Sequence, residues 1–227
     1  MDKRAKDLLR NLIAELRRTL LGTWDEAGNP LRGDLDRELE RLGVAPDGTL
    51  TPLDALVNST SAERRARRVA EAQLAGLPAE ERPAARREIV ERAGYTWINR
   101  LLALRAMEAR RLIDETLRTN PAYDGLSEAL YILRQTQPDQ VSGADGGWWA
   151  VVEDACRAQS EALPGLFDLE DPNAALRPST PALLSCVALV GGGVSGFTPE
   201  ESDAAFADPD AIGWAYQFYQ QEAKDRT

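Results

Sequence analysis

An all-α fold, an irregular multi-helix bundle around one long central helix, is what this sequence predicts. Three observations carry it. Apolar residues recur at spacings of three, four and seven along most of the chain. Thr60 with Glu63, and Thr198 with Glu201, have the spacing of capping boxes that open helices. The stretch "AGYTWINRLLALRAMEARRLI", residues 93 to 113, reads as one unbroken helix too apolar to lie on a surface.

Taken in order, the first helix sets Ala5, Leu8, Leu9, Leu12, Ile13, Leu16 and Leu20 on one face, turns Lys6, Arg10 and Arg17 away, and stops at Gly22. "TWDEAGNPLRG" is expected to be a turn-rich loop containing Trp24, after which Asp34 caps a short helix carrying Leu35, Leu39 and Leu42 as far as Gly43. A loop to Asn58 leads into the helix capped by Thr60, which reaches about Ala75. "GLPAEERP" breaks the pattern before the central helix, which begins near Ala84.

On a wheel of 100° per residue Val90, Ala93, Trp97, Leu101 and Leu104 share a stripe that Ile98 and Leu102 widen, so the apolar arc covers more than half the circumference. Arg92, Asn99 and Arg110 occupy the narrow remainder. Arg105 and Glu108 instead project from within the arc at i and i+3, where an ion left alone is expensive, so each is expected to be paired, with the other or with a neighbouring element.

The second half is less regular. Helices are expected around Leu126 to Gln135, from Trp148 to Leu163 and from Thr180 to Val190, with "LPGLFDLEDPNAALRPSTPALL" beginning as a loop packed by Leu166, Phe167 and Leu176. Thr198-Pro199-Glu200-Glu201 opens another helix, and the last begins near Pro209. That final helix carries Ile212, Tyr216 and Tyr219 on one stripe and Trp214 and Phe218 on a second. It therefore needs cover on two sides, and Trp214 or Phe218 is expected to be exposed as a seam.

The 227 residues, 43% of them apolar, suffice for one large or two small domains, and residues 1–227 are taken as a single helical module with a sub-boundary near 119–125. The formal charge of −10 is uneven: residues 1–118 hold 22 Lys and Arg against 20 Asp and Glu, the remainder 5 against 17. The acidic half argues against whole-surface binding of nucleic acid. No apolar run has membrane-spanning length and the start of the chain is not a leader, so the expected location is cytoplasmic, without a membrane partner.

Histidine is absent, which removes the commonest general base, the usual partner in zinc sites and every Ser-His or Cys-His pairing. Cys156 and Cys186 lack metal-binding spacing and are expected to be buried and inert. "GGGVSG", residues 191–196, matches a dinucleotide-loop pattern, but Phe197, Thr198 and Pro199 separate it from the following helix, where the loop would have to open it. "NPAY", residues 120–123, is similar to the NPPY signature of amino-group DNA methyltransferases, yet it follows "DETLRT" instead of a buried strand and is expected to be a turn.

Three blocks in order, "GYTWINRLLALRAMEARRLI", "LPGLFDLEDPNAALRPS" and "IGWAYQFYQQEAKD", resemble the N-terminal region of BREX phage-defence adenine-specific DNA methyltransferases of the PglX family and their relatives in DISARM-type systems. The first block is similar to the pattern A-Y-T-W-F-N-R-L-x-A-L-R-x-M-E at Tyr95, Thr96, Trp97, Asn99, Arg100, Leu101, Ala103, Leu104, Arg105, Met107 and Glu108, and departs from it at Gly94 and Ile98. The third is similar to I-G-W-x-Y-Q-x-Y-x-x-E-x-K-D at Ile212, Gly213, Trp214, Tyr216, Gln217, Tyr219, Glu222, Lys224 and Asp225. The resemblance covers essentially the whole chain. In the family, the S-adenosylmethionine fold, the NPPY loop and target recognition lie in a much larger part beyond the last block.

The resemblance thus implies a non-catalytic N-terminal helical module, serving in docking or as a scaffold, with the catalytic methyltransferase domain absent from these residues. It implies no cofactor in this chain, S-adenosylmethionine being that of the full-length family. The implied partner is the methyltransferase domain or subunit of the same system, with DNA reached through the full assembly. No residue is assigned as catalytic, cofactor-binding or metal-binding; Trp97, Asn99, Arg100, Arg105, Glu108, Trp214, Tyr216, Phe218 and Tyr219 are the candidates for packing or docking. The rival reading is a stand-alone helical adaptor or an acidic DNA mimic acting on a defence-system partner through residues 124–210.

Overall fold

A computed structural model describes residues 1–25, 27, 29–56 and 59–224, the side chains of 222–224 excepted. The loop end at Asn58 and the family match at Asp225, with the side chains of Glu222 and Lys224, lie outside the described residues. Ten α-helices and one two-stranded hairpin are present among the described residues, a mostly α architecture. In chain order they are α1 (Lys3–Leu21), β1 (Gly22–Trp24), β2 (Pro30–Arg32), α2 (Asp34–Arg41), α3 (Ser61–Leu74) and α4 (Arg82–Ala109), followed by α5 (Glu128–Thr136), α6 (Trp148–Gln159), α7 (Pro164–Phe167), α8 (Thr180–Val190), α9 (Pro199–Ala207) and α10 (Ala211–Lys224).

The chain divides into two compact units. One comprises Met1–Leu16, Asn99–Phe167 and the residues from Leu183 on, the other Arg17–Ile98 with Asp168–Ala182; α1, α4 and α8 contribute residues to both. In the first unit Leu8, Leu9, Leu12, Ile13 and Leu16 are wholly buried, as are Leu104, Val152, Phe167, Val190 and Phe206. In the second the core is built on Leu20, Leu35, Leu39, Val44, Ala93, Trp97 and Ile98. The apolar stripe expected of α1 is therefore the buried face, with one correction. Arg17, expected to point away, sits between Ile13 and Leu20 on the helix surface and is buried, its guanidinium 3.7 Å from Glu91.

Local chemistry explains most element ends. Both capping boxes form: the Thr60 hydroxyl accepts from the Glu63 amide while Glu63 reaches back to the Thr60 amide, and Thr198 and Glu201 repeat the arrangement at α9. The loop expected at "TWDEAGNPLRG" is instead an antiparallel hairpin pairing Gly22 with Arg32, Thr23 with Leu31 and Trp24 with Pro30. The Asp25 carboxylate accepts the amides of Ala27 and Asn29 at 2.9 and 2.7 Å, which closes the turn. Gly22 has φ +87°, and a β-carbon there would fall 2.0 Å from the Leu31 carbonyl oxygen, so only glycine fits.

Asp34 is a second correction. It is the first residue of α2 and not its cap, which is Gly33 without a side-chain bond; its carboxylate instead accepts the amide and hydroxyl of Ser179 at 2.8 and 2.6 Å. The central helix α4 also ends earlier than residue 113. Arg111 adopts a left-handed φ of +58°, and the amides of Arg111 and Leu112 bond back to the carbonyls of Glu108 and Met107, both at 2.9 Å. This is a Schellman ending, built here without glycine. The segment 110–119 that follows has no regular secondary structure.

Candidate functional site

The charged side chains buried along α4 form a series of ties. Near its start Arg86 donates to the backbone carbonyls of Val44 (3.1 Å) and Asp36 (3.0 Å) and pairs with the Asp36 carboxylate. Burial alone would raise the Asp36 pKa, but the guanidiniums of Arg86 and Arg32 outweigh it and hold that carboxyl below its ordinary value. Trp97 is buried, and its indole N–H donates to the Leu176 carbonyl at 2.8 Å. Asn99 is half-buried, as its place in the narrow polar sector predicts. Arg100 is wholly buried and donates to the Leu166 carbonyl at 2.9 Å.

The last two turns of α4 hold the densest group. Arg105 is wholly buried; its Nε donates to the carbonyl of Val190, the final residue of α8, at 3.0 Å, and its guanidinium pairs with Asp203 of α9. The carbonyl end of α8 carries partial negative charge, so a guanidinium there is favourable as well as hydrogen-bonded. Arg110 makes the same contact with α9, donating to the carbonyl of its C-cap residue Asp208 at 2.8 Å. Arg118, from the irregular segment, joins Asp203 at 2.8 Å and Glu115 at 3.0 Å.

Glu108 faces Arg105 at 4.0 Å, the limit of an ion pair, and its stronger bonds are elsewhere. Its two oxygens accept the backbone amides of Leu117 at 3.0 Å and Arg118 at 2.8 Å, pinning the segment after α4. Burial pushes its pKa up, against the opposing pull of Arg105 and of the two amides. The expectation that Arg105 and Glu108 are paired holds through partner elements more than through each other, which the i, i+3 spacing alone could not reveal.

On α10 neither Trp214 nor Phe218 is exposed, against the expectation from the wheel. Ala211, Ala215, Phe218 and Tyr219, at i, i+4, i+7 and i+8, form the buried face. Phe218 is only 4% exposed and receives the Arg10 guanidinium 4.9 Å from its ring centroid, while half-buried Trp214 is covered by the Lys6 ammonium at 3.7 Å. The exposed apolar residues are Ile212 (40%) and Tyr216 (50%). The basic residues of α1 thus cover the aromatic rings that the helical wheel left bare.

The leading glycines of one short motif and the Asn120 side chain of the other are committed to local turns. "GGGVSG" follows α8, and the amides of Gly191, Gly192 and Gly193 donate to the carbonyls of Val187, Leu189 and Ala188, ending that helix. In "NPAY" Asn120 is the cap of a short 3-10 turn over Pro121–Tyr123, its side-chain Oδ1 accepting the Ala122 amide at 3.0 Å and its Nδ2 donating to Glu115 at 2.9 Å. Cys156 and Cys186 are buried, and burial raises the Cys156 thiol to about 11, so it is a poor nucleophile near neutrality. Among the described residues no helix is long and apolar enough to cross a membrane.

Fold and site together define a mostly α-helical module in which buried arginines and one glutamate of a long helix hold backbone groups of the surrounding elements. The chain is 30% identical, over 224 residues and 88% of its length, to the adenine-specific methyltransferase BrxX of Escherichia coli O9:H4 (strain HS). It is 24% identical, over 259 residues and 99% of its length, to the adenine-specific methyltransferase PglX of Lacticaseibacillus casei (strain Zhang). It spans 18% and 20% of those proteins, about a fifth of their length. No protein-family model and no solved structure matches it. The relationship read from the three sequence blocks is borne out as a similarity, over most of this chain, to these BrxX and PglX methyltransferases.

Proposed function

We propose that this chain is the non-catalytic N-terminal helical module of an adenine-specific DNA methyltransferase of a BREX-like phage-defence system, acting in docking or as a scaffold. The observation that carries the reading is the coverage: nearly all of the chain aligns with about a fifth of each methyltransferase relative. Its partner is then the methyltransferase part of the same system, whether domain or subunit, in the cytoplasm, and DNA is reached through that assembly.

S-adenosylmethionine belongs, in this reading, to the partner part. In support, the amides of Gly191–Gly193 are committed to the end of α8, and the "NPAY" side chain Asn120 to a turn, so these residues do not fit the cofactor or a flipped base. The polar side chains of α4 support the same view, because Arg105 bonds to Val190 and Asp203 and Glu108 accepts the amides of Leu117 and Arg118, contacts within the fold.

The test is calorimetric titration of the isolated chain with S-adenosylmethionine, alongside transfer of labelled methyl groups to duplex DNA, with BrxX as the positive control. The expected result is no saturable heat and no incorporation. Saturable binding at about micromolar cofactor, or methyl transfer, overturns the non-catalytic assignment.

A further inference from the structure

Two clefts open in the first unit beside the irregular segment 110–119, and Ile113 and Asp114 line both. One, of about 330 Å³, is a groove between α5 and α6. We propose that this groove is a docking site for a partner-protein segment that presents an arginine or lysine beside an aliphatic side chain. The proposal goes beyond the methyltransferase reading and does not depend on it.

The groove's walls follow from helical spacing. Ala129 and Leu133 stand at i and i+4 on α5; Val151, Asp154, Ala155 and Ala158 stand at i, i+3, i+4 and i+7 on α6. Leu133 and Val151 belong to a small apolar cluster shared by the two helices, which gives the groove a packed floor. Alanine at three wall positions leaves space that larger side chains would have filled, and its volume lies at the small end of the range for binding clefts. Apolar atoms lining an open groove favour an aliphatic occupant, because covering them removes that area from water.

Charge selects the rest of the occupant. The groove is edged by two exposed carboxylates, Asp114 and Asp154, while its other polar residues, Thr116 and Gln159, are uncharged; no cation lines it. The neighbouring cleft of about 450 Å³ adds Glu128, and there Arg105 and Arg118 already serve Glu108, Glu115 and Asp203, leaving Arg111 as the exposed cation. Asp154 bonds to Arg157 in an exposed i, i+3 pair, a contact weak enough for an incoming cation to replace. Two carboxylates at the edge and no lining cation favour a basic segment over nucleic acid and acidic segments.

The experiment uses two blocked helical peptides with the same leucine pattern, one carrying arginine and the other glutamate at the polar positions, titrated into isotope-labelled chain and followed by backbone-amide shifts. The arginine peptide is expected to move the amides of Ala129, Leu133, Val151 and Ala155, and the glutamate peptide to leave them in place. Ala155→Leu, which fills the groove, is expected to weaken the arginine peptide about tenfold, and Asp114→Asn with Asp154→Asn to weaken it in proportion to the lost charge. Should Ala155→Leu disturb folding, Ala158→Leu at an exposed position gives the same test. Equal binding of the two peptides, shifts centred on Ile212 and Tyr216, insensitivity to the groove-filling variants, or no binding at about millimolar peptide overturns the proposal.

Discussion

Arg105 donates its Nε–H to the carbonyl oxygen of Val190 across 85 positions of sequence, so a charged side chain in the core of α4 completes the hydrogen bonding at the end of α8. Arg110 treats α9 alike through Asp208. Arginine suits this work because its planar fork keeps several donors in fixed directions and its charge complements the negative end of a helix. Such charge is tolerated in a core because it answers carbonyls that would otherwise be buried without partners.

Glu108 does the converse, accepting two amides. Glu108→Ala should lower stability by about 3 kcal/mol, since it leaves the buried amides of Leu117 and Arg118 without their acceptor and removes the charge facing Arg105. The pH dependence has a definite sign. A carboxyl whose folded pKa is raised holds its proton in the folded state while the unfolded chain has lost it, so its ionisation removes stability as pH rises from about 4.5 through the folded value. Wild type should therefore gain stability relative to Glu108→Gln as pH falls through that window. Urea titrations of both proteins across it check this, and a difference independent of pH contradicts it.

Asp36 predicts the opposite slope. Its folded pKa lies below the ordinary 3.8, so its contribution is present above that value and disappears as pH falls through the folded one. Asp36→Asn should lower stability at neutral pH and flatten the acid limb of the stability curve. A limb as steep as that of wild type would mean that the contacts with Arg86 and Arg32 carry no net coupling.

Gly94, where the family pattern has alanine, tests packing against helix propensity. A β-carbon there would fall 2.4 Å from Leu21 Cδ2 and 2.9 Å from its Cγ. Alanine should gain up to about 1 kcal/mol in helix propensity and lose about 1–3 kcal/mol to overpacking. The expected outcome of Gly94→Ala is net destabilisation in thermal unfolding, relieved when Leu21 is also shortened to alanine. A stabilised single variant would show that Leu21 moves aside freely.

The legible parts of the fold were those written in local pattern. The apolar stripe of α1, both capping boxes and the span of α8 could be read directly, because side chains a few residues apart decide them. The hairpin at Gly22–Trp24 and Pro30–Arg32 could not, since three-residue strands show no period. The end of α4 was missed because the left-handed residue is Arg111, where glycine is the usual signal. Arg17 was misjudged for a different reason: a guanidinium among apolar neighbours reads as a solvated edge until Glu91 is seen beside it. For Arg105 and Glu108, burial was visible in the helical arc, but Val190, Asp203 and Leu117 as partners were not, because tertiary proximity assigns them. The cover over Trp214 and Phe218 is not legible on the helical wheel because the covering cations, Lys6 and Arg10, come from the other end of the chain.

The most direct test of the claim that the core charges of α4 are architectural is equilibrium unfolding of Arg105→Met in urea. Methionine approximates the aliphatic stem, so packing is largely kept while the Val190 carbonyl loses its donor, Asp203 keeps only Arg118, and buried Glu108 loses the cation facing it. The predicted result is a lower midpoint with an unchanged slope, a loss of about 3 kcal/mol. A midpoint equal to that of wild type would contradict the account.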